Sequence, residues 1–169
     1  AGLRAPDFRR VLLSSPRGEE LTGALAAAHE AIVRLRPNLR VTVLAEPYGY
    51  GLTAKLAYLL RVLRGAWHVR RSALVIVDNA YLPVHVLGPR RGQRIAQVWH
   101  ASGALKRFGH AAQPAPSGPE RLFLHRGYTD AFVGGESARA PYAAAFRMPI
   151  ERVHAIGSLR AAWLTHPDL

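Results

Sequence analysis

The 169-residue chain has no cysteine, one methionine and two lysines. Without cysteine there can be no disulfide framework and no thiolate metal site. None of the eight histidines lies three or four residues from another, and there is no HExxH pattern, so a metal centre is not expected. No apolar run approaches the ~18 residues needed to cross a bilayer. The opening AGLRAPDFRR also lacks the apolar core of a signal peptide. Because the chain starts at Ala1, it reads as a fragment or a processed chain.

Acidic residues are scarce as well, 11 against 23 basic ones. Between positions 47 and 119 there are ten basic residues and a single acid, Asp78. Arginine-rich composition explains arginine standing in for lysine but not the missing acids. Such a field attracts polyanions: nucleic acid, anionic lipid headgroups or a phosphate-rich substrate. What is present is a hydrophobic fraction of 49% at a mean hydropathy of -0.01, a globular balance with enough residues for one buried core.

Strand and helix patterns alternate along the chain. Apolar runs predict strands at 9–15, 39–46, 73–79, 94–100, 129–135 and 152–157. Three- and four-residue spacing predicts helices over 19–35 and 52–64, with others at about 103–108 and 136–146. ALVIVDN (73–79) is apolar throughout its strand, as expected where both faces of a parallel sheet are covered. The fold class that follows is α/β, a Rossmann-like parallel sheet with helices on both faces, in one domain. Residues 80–93 read as a hairpin or loop, and 110–119 as a Pro-rich loop.

GYGLTAK (49–55) lacks both the third glycine of a dinucleotide fingerprint and the Walker spacing, so it reads as a plain turn. In the 52–64 helix, Leu52, Leu56, Leu59, Leu60 and Leu63 form a stripe expected to face the core. Lys55, Arg61, Arg64, Trp67, Arg70 and Arg71 form a basic, aromatic-bearing patch. It suits either an anionic membrane surface or the solvated end of an ordinary helix.

The richest stretch is QVWHASGALKRFG (97–109). It places His100 where a strand should end, the edge at which open α/β sheets hold ligands. A histidine there can take a proton from a hydroxyl. Ser102 and Gly103 would offer backbone N–H groups at a helix start, and Lys106, with Arg107 beside it, a charge for a phosphate. The residues alone leave equally open a strand-end histidine bonded to a carbonyl.

IVDN (76–79), GQRIAQVWHASGALKRFG (92–109), YTDAFVGGESARAPYAAAF (128–146) and VHAIGSLR (153–160), in that order, resemble the CDP-glycerol glycerophosphotransferase family. These are the primases and polymerases of teichoic-acid-type wall polymers. The resemblance covers about residues 74–160, and Gly157-Ser158-Leu159-Arg160 departs from the family's Gly-Pro-Arg-x-Asp turn. It implies a GT-B architecture of two Rossmann-like domains, this chain being the N-terminal, acceptor-side one. His100 would then be the base that activates an acceptor hydroxyl for attack on CDP-glycerol, releasing CMP. Trp99, Ser102, Gly103, Lys106, Arg107 and Ser137 would contact substrate. No cofactor is implied, and the donor would sit mainly on a C-terminal domain beyond this chain, leaving the fragment inactive alone. The implied partners are a lipid-linked polyol-phosphate acceptor and an anionic membrane, at the cytoplasmic side of the cell membrane. A related GT-B transferase using CDP-ribitol or a sugar nucleotide is the alternative within enzymes. A basic module binding nucleic acid or membrane without catalysis is the alternative outside them, though no nucleic-acid reader motif is present.

Overall fold

The computed structural model describes residues 5–45, 52–100 and 106–158. In chain order its elements are β1 (Asp7–Ser15), α1 (Gly23–Leu35), β2 (Arg40–Ala45), α2 (Leu52–Arg71), β3 (Ser72–Val77) and α3 (Leu82–Leu87). They continue with β4 (Arg94–Gln97), α4 (Glu120–Phe123), β5 (Asp130–Val133), α5 (Glu136–Phe146) and β6 (Val153–Ala155). The six strands form one parallel sheet in the order β2-β1-β3-β4-β5-β6. The expected α/β class holds, and the hairpin option for 80–93 gives way to α3. Pro83 sits in the first turn of α3, where a missing N–H does no harm.

After β1 the chain moves outward to β2, then crosses back to place β3 on the other side of β1. The topological switch point therefore lies between the C-terminal ends of β1 and β3, where sheets of this kind open a crevice. α2, α3 and α5 cover one face of the sheet and α1 the other. Leu12, Val69, Val75, Val84 and Ile95 fill the first layer, while Val11, Leu13, Leu25 and Ile76 fill the second. α5 closes the β5–β6 end through Ala138, Tyr142, Ala145 and Phe146.

Two expectations need correction. Residues 106–108 are bend and extended backbone, not the end of a 103–108 helix, and the next turn is 3-10 at Gly109–Ala111. Phe108 is extended so that its ring can reach the Trp99 indole, a packing demand that helical backbone there would not meet. The second correction is larger: apart from Leu52, whose side chain lies outside the described residues, the leucine stripe of α2 faces outward. Leu56, Leu59, Leu60, Leu63 and Trp67 are each more than half exposed.

The buried face of α2 is instead Tyr58, Val62, Gly65, Ala66 and Val69, also at helical spacing. Gly65 explains the choice. A Cβ there would run into the Tyr81 hydroxyl and Pro83, so the missing side chain lets α2 lie close against α3. α2 thus carries two apolar stripes, and the less conspicuous one, built around glycine, packs on the sheet.

Two substitutions test that orientation. Val69→Ala should lower the unfolding free energy by about 2 kcal/mol, because Val69 is fully buried. Leu60→Ala should change it by less than about 0.5 kcal/mol, the usual range for an exposed site. Urea unfolding measures both, and the reverse ranking would put the stripe inside.

Candidate active site

Parallel pairing of β3 with β4 matches Val77 to Gln97, so the two strands leave the sheet side by side at its C-terminal edge. Val98 N–H still donates to the Val77 carbonyl at 2.9 Å. Trp99 then turns into left-handed backbone, φ 45°. That conformation costs a non-glycine residue about 1–2 kcal/mol, and it ends β4 three residues earlier than the apolar pattern suggests. The turn swings the imidazole of His100 over the end of β3, where His100 Nδ1 lies 3.3 Å from the Asp78 carbonyl oxygen. A carbonyl only accepts, so in the neutral ring Nδ1 carries the proton and the lone pair is on Nε2.

The ring is also held from its flat side. Trp99 lies under it at 4.5 Å between centroids, tilted by 30°. Trp99 in turn stacks on Phe108 at 4.9 Å and meets Phe146 and His125 edge-on at 5.4 and 5.5 Å. The indole is therefore packed among aromatic rings and acts on His100 from beneath. His100 itself is partly exposed, as a group meant to meet a substrate must be.

No family model matches the chain. Among curated proteins it is similar to the teichoic acid ribitol-phosphate primase of Bacillus spizizenii, 30% identical over 165 residues, 94% of this chain and 42% of that protein. It is also 37% identical over 59 residues to the teichoic acid glycerol-phosphate primase of Bacillus subtilis, 31% of this chain and 16% of that protein. The fold matches the wall teichoic acid polymerase TagF with a TM-score of 0.68 at 16% identity, over 95% of this chain and 41% of that one. The chain is related to the teichoic acid primases and polymerases. It spans about two fifths of the length of the ribitol-phosphate primase, and its six-stranded parallel sheet matches the GT-B-type fold of TagF over a similar share of that chain.

Around His100 the fold also gathers Asp78 and Ser15. Asp78 is 6% exposed; its Oδ2 accepts from the Ser15 hydroxyl at 3.1 Å across the switch point, and its Oδ1 has no hydrogen-bond partner among the described residues. Burial pushes this carboxyl above its ordinary pKa, with Ser15 and the Arg17 charge pulling the other way. The signal was Asp78's place as the one acid in the basic half of the chain.

Of the other expected substrate contacts, Lys106 and Arg107 are exposed just past the described gap. Ser137 is exposed at the start of α5, on the same sheet edge one strand over. Ser102 and Gly103 lie outside the described residues, as do residues 46–51 of the turn before α2. The basic patch divides. Arg61 lines a small cavity with Ser15, Tyr58 and Tyr81, and Arg70 offers its carbonyl to Arg90 at 3.0 Å. Lys55, Arg64 and Arg71 are exposed with Trp67 and the leucines, and the Arg71 guanidinium sits 4.6 Å over the indole of Trp67.

Behind Trp99 lies a second, buried group of titratable side chains. The Tyr128 hydroxyl is 3.0 Å from His85 Nε2 and 3.4 Å from His125 Nδ1. Burial takes His85 down to about 4 and His125 to about 3, the latter with help from the neighbouring His85 and His110, so both rings are neutral at pH 7. Among the described residues no cluster could hold a metal ion.

The sign of the resulting pH dependence follows from those values. Histidine in the unfolded chain titrates near 6.5, above both folded values, so the unfolded state takes up protons first as pH falls. The contribution of the pair is full above pH 6.5 and is lost as pH drops toward 4, by about 1.4 kcal/mol per pH unit for each proton. His85→Gln, which can still bond Tyr128, should flatten that loss by roughly half in urea unfolding between pH 7 and 4.5. An unchanged pH profile in the variant would contradict the assignment.

Proposed function

We propose that this chain is the acceptor-side domain of a transferase that extends a teichoic-acid-type polymer from a CDP-linked polyol. His100 serves as its general base. The observation that carries this reading is the Nδ1 contact with the Asp78 carbonyl at the C-terminal edge of the sheet, which in the neutral ring puts the lone pair on Nε2. In the reaction, Nε2 takes the proton of the acceptor's terminal hydroxyl as its oxygen attacks the β-phosphorus of the donor. The bond from that phosphorus to the oxygen of CMP breaks, CMP departs, and a phosphodiester joins the new unit to the chain. The donor's nucleotide would be held by a second domain outside this chain. Lys106, Arg107 and Ser137 are candidates to meet acceptor or donor phosphates at the same edge.

We take the donor to be CDP-glycerol. CDP-ribitol is the second reading, favoured by the match of nearly the whole chain to a ribitol-phosphate primase. In the full-length enzyme, His100→Ala should lower turnover by about 10²–10⁴-fold, the usual effect of removing a general base. Near-normal turnover by a folded variant would refute the role. Running the same assay with CDP-glycerol and CDP-ribitol decides the polyol.

The acceptor's lipid anchor calls for a membrane-facing surface, and we assign it to the outer face of α2. Leu56, Leu59, Leu60 and Leu63 present apolar area, Trp67 an indole suited to the headgroup level, and Lys55, Arg64 and Arg71 positive charge around them. Among the described residues no helix is long and apolar enough to cross a membrane, so α2 would lie along the surface. The site would then work at the cytoplasmic side of the cell membrane as a peripheral protein.

Co-sedimentation with phosphatidylglycerol vesicles should exceed that with phosphatidylcholine vesicles, and Leu59→Asp with Leu63→Asp should weaken it at least about 10-fold. Preference for duplex DNA over anionic vesicles would favour the nucleic-acid alternative. A concentration-dependent dimer abolished by the same substitutions would give the face to a second copy.

A further inference from the structure

We propose that Gln97 is a positioning residue for the proton transfer at His100; the inference rests on the reading of His100 as general base. One register row runs across all six strands: Leu44, Ser14, Val77, Gln97, Ala131 and Val153. Their side chains share a single face of the sheet, and Gln97 stands in the middle of this row with no exposed surface at all. An amide between a valine and an alanine is expensive to bury unless its hydrogen-bonding capacity is used.

Both of its polar atoms are used, and on the groups that frame His100. Gln97 Oε1 accepts the Trp99 N–H at 2.9 Å, and Nε2 donates to the Asn79 carbonyl at 3.1 Å. The first bond holds the left-handed turn at Trp99, the residue immediately before His100 and stacked beneath it. The second ties that turn to Asn79, the residue immediately after the carbonyl that receives His100 Nδ1. One amide thus spans both sides of the Nδ1 contact and sets the distance between them. Gln97 bonds the Trp99 N–H and the Asn79 carbonyl, so it acts on His100 through the turn.

The test is kinetic, in the full-length enzyme, at a temperature where circular dichroism shows each variant folded. Gln97→Leu should lower kcat about 10- to 100-fold, the range expected when a reacting group is misplaced by about an ångström, with both KM values unchanged. Gln97→Glu supplies a conservative rescue with its own signature. A carboxyl buried there favours its neutral form, whose O–H and C=O can replace the amide on Asn79 and Trp99. The rescue should therefore hold on the acid side of the profile and fade as pH rises and the carboxyl ionises. Relative to wild type, kcat of the Glu variant should fall with pH, while that of the Leu variant should stay low throughout.

His100→Ala is measured alongside. If it stays active, the base assignment fails and this inference with it. If His100→Ala is inactive while folded Gln97→Leu turns over at the wild-type rate, the positioning role alone is overturned. A loss confined to thermal stability, or a raised KM at normal kcat, overturns it equally.

Discussion

The Asp78 carbonyl oxygen and His100 Nδ1 belong to residues that leave adjacent parallel strands, and their 3.3 Å contact depends on how β3 and β4 are paired. Shift that register by one residue and the side chains of β4 exchange faces, so Gln97 would leave its partners and Trp99 would lose its aromatic seat. The pairing is secured by a β3 whose apolar residues are covered on both sides, and by Ile95 and Ala96 of β4, which fill opposite layers. The proposed chemistry therefore sits on strand ends fixed by the core. What the sheet does not fix, the aromatic group around Trp99 does, by packing Phe108, His125 and Phe146 against the indole.

Electrostatics adds a second layer to the same edge. The only acid in a long basic half is Asp78, and it is spent inside, bonded to Ser15 at the switch point with its other oxygen unpartnered among the described residues. The exposed positive groups, Lys106 and Arg107 beyond the turn and Lys55, Arg64 and Arg71 on α2, therefore have few acids near them in sequence to offset their charge. A polyanionic chain carried on a lipid would meet such a surface favourably over about a Debye length. The outward leucines of α2 add the apolar component that charge alone does not provide.

Much of the architecture was legible in the residues. The strand at ALVIVDN could be recognised because apolar residues on both faces leave no alternation, and the strand–helix alternation implied a parallel sheet. His100 could be placed at a strand end because the apolar run of β4 stops there. The orientation of α2 was not legible, since leucines outweigh a stripe of tyrosine, valine and glycine on any hydropathy scale. What decides the packing is the close approach that Gly65 permits, a property of three-dimensional contact. The end of β4 was misjudged for a similar reason. Nothing in the composition of QVWH announces a left-handed tryptophan; the cause is the Gln97 amide receiving its N–H. The roles of Gln97 and Tyr128 became visible only when topology brought Gln97 to the Asn79 carbonyl, 18 positions away, and Tyr128 to His85, 43 positions away.

The most direct test of the central claim reads the proton on one ring. Nitrogen-15 NMR of His100 in the folded chain, at a pH where the imidazole is neutral, distinguishes its two tautomers. The expected result is a proton on Nδ1 and none on Nε2. A ring protonated on Nε2, as His110 is through its 2.7 Å bond to the Leu124 carbonyl, would contradict it.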